Sequence, residues 1–348
     1  MSKTAKPLKI LCFGMGAIGT YIGGSLAIAG CDVTFFEKEV IKSINSLKIM
    51  TPGGLRETRN FSVINILKTE LSKNKFDIAL LAIKSFDTPA FVDTLLHNQI
   101  ILPPILCLQN GVENESVIES KFGSGSVIGA SITTAVRRIG LGEVQVERLR
   151  GVAIEDETPL SEPLIYWFNK AGLQARGYAN RDSMKWSKLL TNLQVNATSA
   201  ILNWGPAEVL RNPISYQIEV MQLQEAVAVM EKMGLKIVNL PGTPVKLLVK
   251  AITRLPEDLG RFMVGIPLSK ARGSKMPSLH IDLHSGRGKS EVDFLNGAIV
   301  KYGNTQGVNT PVNMVLTKVL TQLTDGSIDR ATFFSKPEKL WTRIEEIQ

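Results

Sequence analysis

Residues 10–31, ILCFGMGAIGTYIGGSLAIAGC, carry no charged side chain. An apolar run of that length can cross a bilayer as one helix. The glycines at 14, 16, 19, 23, 24 and 30 point elsewhere, because they divide the run into a short strand, a tight turn and a closely packed helix. No aromatic girdle flanks the run and no A-x-A cleavage site follows it. The expectation is a cytoplasmic protein, with no membrane partner, in which this segment opens an α/β sheet.

The β-like stretch Ile10–Phe13 runs directly into Gly14-x-Gly16-x-x-Gly19, and a helical pattern follows. In that context G-x-G-x-x-G predicts a dinucleotide loop, Gly14-Met15-Gly16-Ala17-Ile18-Gly19, as the cofactor-binding segment. Gly14 allows the turn, Gly16 lets the backbone approach a pyrophosphate, and Gly19 brings helix and strand together. The helix N-terminus offers unpaired N–H groups to the phosphates. A second strand, DVTFFEK, ends at Glu37, about 20 residues beyond the motif, where a carboxylate binds the ribose hydroxyls of NAD. Lys38 follows at once and could hold the 2′-phosphate of NADP. The two residues oppose each other; like-charge repulsion from Glu37 tips the balance towards NAD.

Two more apolar strands close on polar groups, DIALLAIK at Lys84 and PILCLQNG at Gln109-Asn110-Gly111. The carboxyl ends of parallel strands face the ligand crevice, so Lys84 and Asn110 are expected beside the cofactor. Residues 127–155 read as late strands of the same sheet, with Arg137 and Arg138 a solvated pair.

From about Arg181 the apolar period changes to 3.6, and MKWSKLLTNLQVNATSAIL, ISYQIEVMQLQEAVAVMEKMG and EVDFLNGAIVKYGNTQG read as helices. The expected architecture is an N-terminal Rossmann-type α/β dinucleotide-binding domain, residues 1–178, and a C-terminal all-helical domain, residues 179–348, with a cleft between them. In KWSKLLTNLQVN, Lys188, Asn192 and Asn196 stand four residues apart, on one helical stripe. Such a row suits an oxygen-rich anion, although a solvated face has the same spacing. Glu291, after Ser290, reads as a first-turn carboxylate, and Ser278 falls in a Pro-containing loop.

The sequence of 348 residues has 40 Lys and Arg against 32 Asp and Glu, a balance of +8 that favours acidic ligands. The basic residues are scattered and no basic-aromatic run marks a nucleic-acid surface, so no nucleic-acid partner is expected. Cys12, Cys31 and Cys107 read as buried thiols. His280, Asp282 and His284 alternate as in a strand or loop, without a third ligand pattern, and no metal is expected.

Taken together, GMGAIG, the strand-terminal Lys84 of AIKSFDT, LQNGVENE, WSKLLTNLQVNATSAI and SLHIDL…EVDFLNGAIVKYGNTQGVNTP resemble the ketopantoate reductase (2-dehydropantoate 2-reductase) family over nearly the whole chain. The resemblance implies a two-domain reductase that passes hydride from NADPH to the C2 ketone of 2-dehydropantoate, a small anionic 2-ketoacid, giving (R)-pantoate for coenzyme A synthesis. It implies Lys188 as the catalytic proton donor, with Glu291 beside it. Asn192, Asn196 and Ser278 match positions that bind substrate, and Lys84 and Asn110 positions beside the cofactor. Two features depart from the family: it commonly has arginine where Lys38 stands, with no acid beside it, and both the segment 242–276 and the C-terminal tail look extended. Those extensions leave homodimer formation open. The same residues are compatible with an NAD-dependent D-2-hydroxyacid dehydrogenase on this scaffold, and the fold alone with a non-catalytic nucleotide-sensing protein.

Overall fold

The computed structural model describes residues 6–37, 44–254 and 276–347; Lys38 and most of the segment 242–276 lie outside them. The strands are Lys9–Phe13 (β1), Asp32–Phe36 (β2), Leu47–Thr51 (β3), Gly54–Thr58 (β4), Ser62–Ile64 (β5), Ile78–Leu81 (β6), Ile105–Cys107 (β7), Val127–Ile132 (β8), Ala135–Gly140 (β9), Glu143–Arg148 (β10), Val152–Glu155 (β11) and Ala175–Tyr178 (β12). Between and after them run the helices Ala17–Ala29 (α1), Leu67–Lys73 (α2), Thr88–His97 (α3), Asn114–Phe122 (α4) and Ser161–Lys170 (α5).

Ile10 to Phe13 are buried on both faces of β1, as a strand covered by helices on each side requires. The main sheet has the order β12-β11-β8-β7-β6-β1-β2-β5 and is parallel except where β11 meets β8. On one face of its centre Ile10, Cys12, Val33 and Phe35 pack with α1 and α5; on the other Leu11, Phe13, Ala79 and Leu81 pack with Leu67 of α2, Val92 and Leu95 of α3 and Ile118 of α4. Each large apolar side chain buried in this way contributes about 1.5–3 kcal/mol. From β1 the chain builds outward through β2 and β5 on one side and through β6, β7 and β8 on the other, so the order reverses between β1 and β6.

The stretch 127–155 departs from expectation. β8 and β11 join the main sheet, but β9 and β10 form a hairpin in a second sheet, β4-β3-β10-β9. Helix α1 packs against both sheets. A Cβ at Gly23 would lie 2.6 Å from the Phe35 ring on β2, and one at Gly24 would lie 3.2 Å from Ile49 Cδ1 on β3. The run 10–31 is therefore uncharged because this helix has protein on opposite sides. Among the described residues no helix is long and apolar enough to cross a membrane.

Two compact units divide the chain, one of residues up to Lys185 with Leu240–Thr243, the other of Trp186–Asn239 and Pro244 onward. The expected break after Tyr178 precedes Arg181–Leu193 (α6), whereas the compact units part within that helix. The second unit continues with Ala197–Leu202 (α7), Pro206–Arg211 (α8), Pro213–Lys232 (α9), Val245–Arg254 (α10), Ser278–His284 (α11), Asn296–Gln306 (α12), Pro311–Asp325 (α13) and Pro337–Glu345 (α14).

Two sequence expectations are corrected in this unit. The stretch 184–202 is not one helix: α6 stops at Leu193, and Val195, buried and β-branched, takes a left-handed φ of 58°. The Val195 N–H is held at 2.6 Å by Oε2 of buried Glu219 on α9, which supports a conformation that strains such a residue. The alternation around His280 and His284 is helical, not a strand or loop, because Pro277 fixes the N-cap of α11 and the two rings stack one turn apart with centroids 4.3 Å from each other. The C-terminal tail belongs to the helical core: Leu340 and Ile344 of α14 are fully buried, and the helix packs on α9 and α13.

Candidate functional site

In the first unit, four neighbouring parallel strands end level with one another. Phe13 pairs with Phe36 and with Leu81, and Leu81 pairs with Cys107, so Gly14, Glu37, Ala82 and Leu108 leave the same edge of the sheet. This edge lies where the strand order reverses, which is where open α/β sheets place ligands.

Gly14 takes a φ of 95°, turning the chain out of β1. A Cβ on Gly19 would fall 1.8 Å from the Gly14 carbonyl oxygen, so that position is closed to any side chain. Gly16 is different: it is the N-cap of α1, its φ is an ordinary −71°, and a Cβ there would meet no protein atom within 4 Å. Protein packing does not demand glycine at 16. Open space in front of a helix N-terminus fits a phosphate group drawn close to the backbone, and the loop Gly14-Met15-Gly16-Ala17-Ile18-Gly19 accordingly fits a dinucleotide. The Thr20 hydroxyl donates to the Met15 carbonyl at 3.1 Å and fixes the loop from inside. The Met15 N–H donates to the Glu37 carboxylate, which ties the end of β2 to the loop.

Lys84 caps the 3-10 turn Ser85–Asp87 that follows β6, and Asn110 stands in the turn after β7. Their two segments are joined by buried polar groups. The Ser85 hydroxyl and the Asn114 carboxamide both donate to the Asn110 carbonyl, at 2.8 and 2.7 Å. Gln109 Nε2 donates to the Thr88 hydroxyl, which donates to Asn114 Oδ1, each at 2.8 Å.

No sequence motif marks Lys185, three residues before Lys188. Its side chain is 3% exposed, and its Nζ lies 2.8 Å from Glu115 Oε1, 2.8 Å from the Gln109 carbonyl and 3.3 Å from the Ala130 carbonyl. Burial alone pushes an ammonium towards neutrality, but the Glu115 charge and the hydrogen bond to it outweigh that, and Lys185 is held above the usual lysine range. The i+4 spacing of Arg181 and Lys185 was the available signal. Arg181 makes a two-pronged bond to Glu119 at 2.8 and 3.0 Å, and this pairing holds its guanidinium charged.

In the second unit, Lys188 and Asn192 are half-buried one turn apart on α6, and Asn196, 5% exposed, caps α7 beyond the break. Asn196 draws the elements together. Its Nδ2 donates to the Asn192 carbonyl at 2.9 Å and to Ser278 Oγ at 3.3 Å, and its Oδ1 accepts the Leu279 N–H at 3.0 Å. The structure thus gathers Asn192, Asn196 and Ser278 into one cluster. Glu291, 3% exposed, leads into the 3-10 turn Val292–Phe294 rather than into a full helix. Next in the chain comes a buried network that no motif announced. Asn296 Nδ2 donates to Gln222 Oε1 at 3.0 Å and to Asn313 Oδ1 at 2.9 Å, while Glu225 accepts the Val312 and Asn313 N–H groups at the start of α13. His280 bonds Asn203 at 2.8 Å, and Asp282 lies 3.4 Å from Arg287 Nη2. Among the described residues, no group of three His, Cys, Asp or Glu is placed to hold a metal.

The model of the family described as ketopantoate reductase PanE/ApbA matches residues 10–157, and that of its C-terminal domain matches residues 180–324. The 2-dehydropantoate 2-reductase of Pyrococcus horikoshii is 27% identical over 319 residues, 89% of this chain and 95% of that protein. Among solved structures, a PanE/ApbA family ketopantoate reductase from Ralstonia eutropha JMP134 superposes with a TM-score of 0.74 at 27% identity, covering 92% of this chain and 99% of the other. D-mandelate dehydrogenase, solved with NADH and anilino(oxo)acetate, shares the fold at 19% identity and a TM-score of 0.72, covering 92% of this chain and 99% of its own. Two family models that together span most of the sequence, over the level sheet edge and the Asn192–Asn196–Ser278 cluster, establish that the chain belongs to the ketopantoate reductase family.

Proposed function

We propose that this protein reduces the C2 ketone of 2-dehydropantoate to (R)-pantoate, with Lys188 delivering the proton. The Gly14–Gly19 loop, Glu37, Lys84 and Asn110 would hold a nicotinamide dinucleotide at the crevice edge, which would supply the hydride. Its arrival makes the ketone oxygen an alkoxide, and the Lys188 ammonium transfers one proton to that oxygen, leaving alcohol and neutral amine. General-acid assistance of this kind is worth about 10² to 10⁴ in rate. The observation that carries the reading is the division of labour along α6. Lys185 lies buried, hydrogen-bonded to the Gln109 and Ala130 carbonyls and ion-paired with Glu115. Lys188, half-buried beside Asn192, is the lysine of the pair suited to meet a substrate.

Asn196 acts mainly by holding others. Its carboxamide is committed to Asn192, Ser278 and Leu279, and Ser278 Oγ accepts from it. The Ser278 O–H thereby keeps its own hydrogen for a carboxylate or hydroxyl oxygen of the ketoacid, and Asn192 supplies a further donor. Glu291 offers a carboxylate to hold the Lys188 ammonium, and the neutral amine regains its proton from solvent after turnover. The Glu37 carboxylate, fixed against the Met15 N–H, puts negative charge where a 2′-phosphate would sit, which favours NADH over NADPH. That same feature supports a second reading, an NAD-dependent D-2-hydroxyacid dehydrogenase with a different ketoacid.

Initial rates with NADH and NADPH, each against 2-dehydropantoate and 2-ketoisocaproate, test both. The reading expects fast turnover of 2-dehydropantoate, and Lys188→Ala to lower kcat/KM at least 100-fold. Preference for 2-ketoisocaproate transfers the protein to the second reading, and a Lys188→Ala enzyme within a few-fold of the parent removes the proton-donor role.

A further inference from the structure

The turn Gln109–Gly111 at the end of β7 is held at successive carbonyls by buried donors: Lys185 on Gln109, and Ser85 and Asn114 on Asn110. The Gln109 side chain, 5% exposed, is itself fixed, donating to Thr88 and accepting the Cys107 thiol at 3.4 Å. Within this set the charged members are Lys185 and Glu115, 3% exposed each. Apolar side chains of the same volume fill such a space at equal or better stability, so a buried ion pair adds little to folding. What the pair adds is direction. An ammonium with three acceptors fixed in space sets the Gln109 carbonyl to one position, and the next peptide, that of Asn110, with it.

We propose that Lys185 and Glu115 are positioning residues for the dinucleotide, fixing the Gln109–Gly111 turn from inside the sheet so that Asn110 leaves the crevice edge in a single conformation. The inference rests on the reading of that edge as a nicotinamide site. Glu115 stands in the first turn of α4, where the helix dipole favours its charge, and Lys185 closes the circuit from α6. The pair is thus one step removed from any ligand. Residues that orient the ligands of a bound metal typically change its affinity 10–100-fold when lost, and the lower end of that range is expected here.

The test replaces both charges, Lys185→Met with Glu115→Gln, so that neither is left alone in the interior. Dissociation constants for NADH and NADPH are read by fluorescence titration, without turnover, alongside melting temperature. The expected result is a rise of about tenfold in Kd for both cofactors, with the KM for the ketoacid at saturating cofactor within twofold of the parent. A Leu164→Ala variant, which removes core packing from α5 in the same unit, serves as control and should melt lower with Kd unchanged. Cofactor Kd within twofold of the parent in the double variant overturns the proposal. So does an equal rise in the Leu164→Ala control, because the role is then general stability. Should the double variant not fold, Ser85→Ala, which removes one donor to the Asn110 carbonyl, is expected to raise Kd about threefold, and an unchanged Kd there overturns the proposal too. A parent protein that binds neither cofactor removes the dinucleotide reading itself and the proposal with it.

Discussion

Gly16 and Gly19 are alike in the motif and unlike in what surrounds them. Alanine at 19 would drive a methyl group to 1.8 Å from the Gly14 oxygen, which only movement of α1 away from β1 can relieve. Overpacking of that kind costs about 1–3 kcal/mol or more. Alanine at 16 meets no protein atom and loses only the mild N-cap preference of glycine, under about 1 kcal/mol. Gly16→Ala is therefore expected to melt within a few degrees of the parent yet bind NADH and NADPH at least tenfold more weakly. Gly19→Ala should lose stability first. Denaturant titration and cofactor titration of the two variants check this, and a Gly16→Ala protein with parental cofactor affinity would show that nothing approaches the loop there. Both glycines were legible in the sequence, and so was the expectation that 16 faces a pyrophosphate and 19 packs on the strand; the distances that separate the two positions were not, because a motif records spacing and not the atoms on the far side. Lys185 and Lys188 present the same difficulty. They are chemically identical and three residues apart, and what separates them is Glu115, some seventy residues earlier in the chain, which lies 2.8 Å from one of them.

At the scale of elements, strong periodicity was readable and competition between short elements was not. The central parallel strands are apolar on both faces and flanked by helical patterns, so β1, β2, β6 and β7 follow from sequence. The second sheet escaped notice because β4 and β9 are largely exposed short strands whose alternation is weak, and their pairing depends on α1 offering Gly24 to Ile49. Helix α11 read as a strand or loop since Leu279, His280, Ile281, Asp282 and Leu283 alternate in polarity; Leu279, Asp282 and Leu283 are buried on one face at helical spacing instead. The tail is the clearest case of a segment whose role follows from packing. Leu340 and Ile344, four residues apart on α14, point into the core against α9, so Leu340→Ala should cost about 2–5 kcal/mol. Urea unfolding measures it. A cost below 1 kcal/mol would mean that the tail merely rests on the surface.

For the molecule as a whole, closeness in sequence and closeness in space part company at residues 240–243. This short segment joins α9 to α10, both of the second unit, yet it packs into the first. It is a tight turn closed by paired bonds between Leu240 and Thr243, and the Thr133 hydroxyl donates to both the Gly151 and Pro241 carbonyls, at 2.9 and 2.8 Å. Gly151 fits there only as glycine, since a Cβ would lie 2.4 Å from the Gln174 oxygen and 2.7 Å from Pro241. Gly242 takes a φ of 59°, and a Cβ on it would come within 2.8 Å of the Arg150 side chain. A β-branched residue at 242 therefore meets both a backbone penalty and a collision, and its cost falls on the residues beside β8 and β11. Gly242→Val in the full chain is expected to lower hydrogen-exchange protection of the amides of Thr133, Gly151 and Val152 at least tenfold, while the interior of α9, ten or more residues back along the same stretch of chain, keeps its protection. The opposite pattern, with α9 loosened and β8 and β11 unchanged, would assign the segment to its sequence neighbours. The expected pattern means that the first unit draws part of its stability from a segment of sequence beyond α6, so a boundary drawn at any single residue cuts through contacts that hold the dinucleotide-binding sheet together.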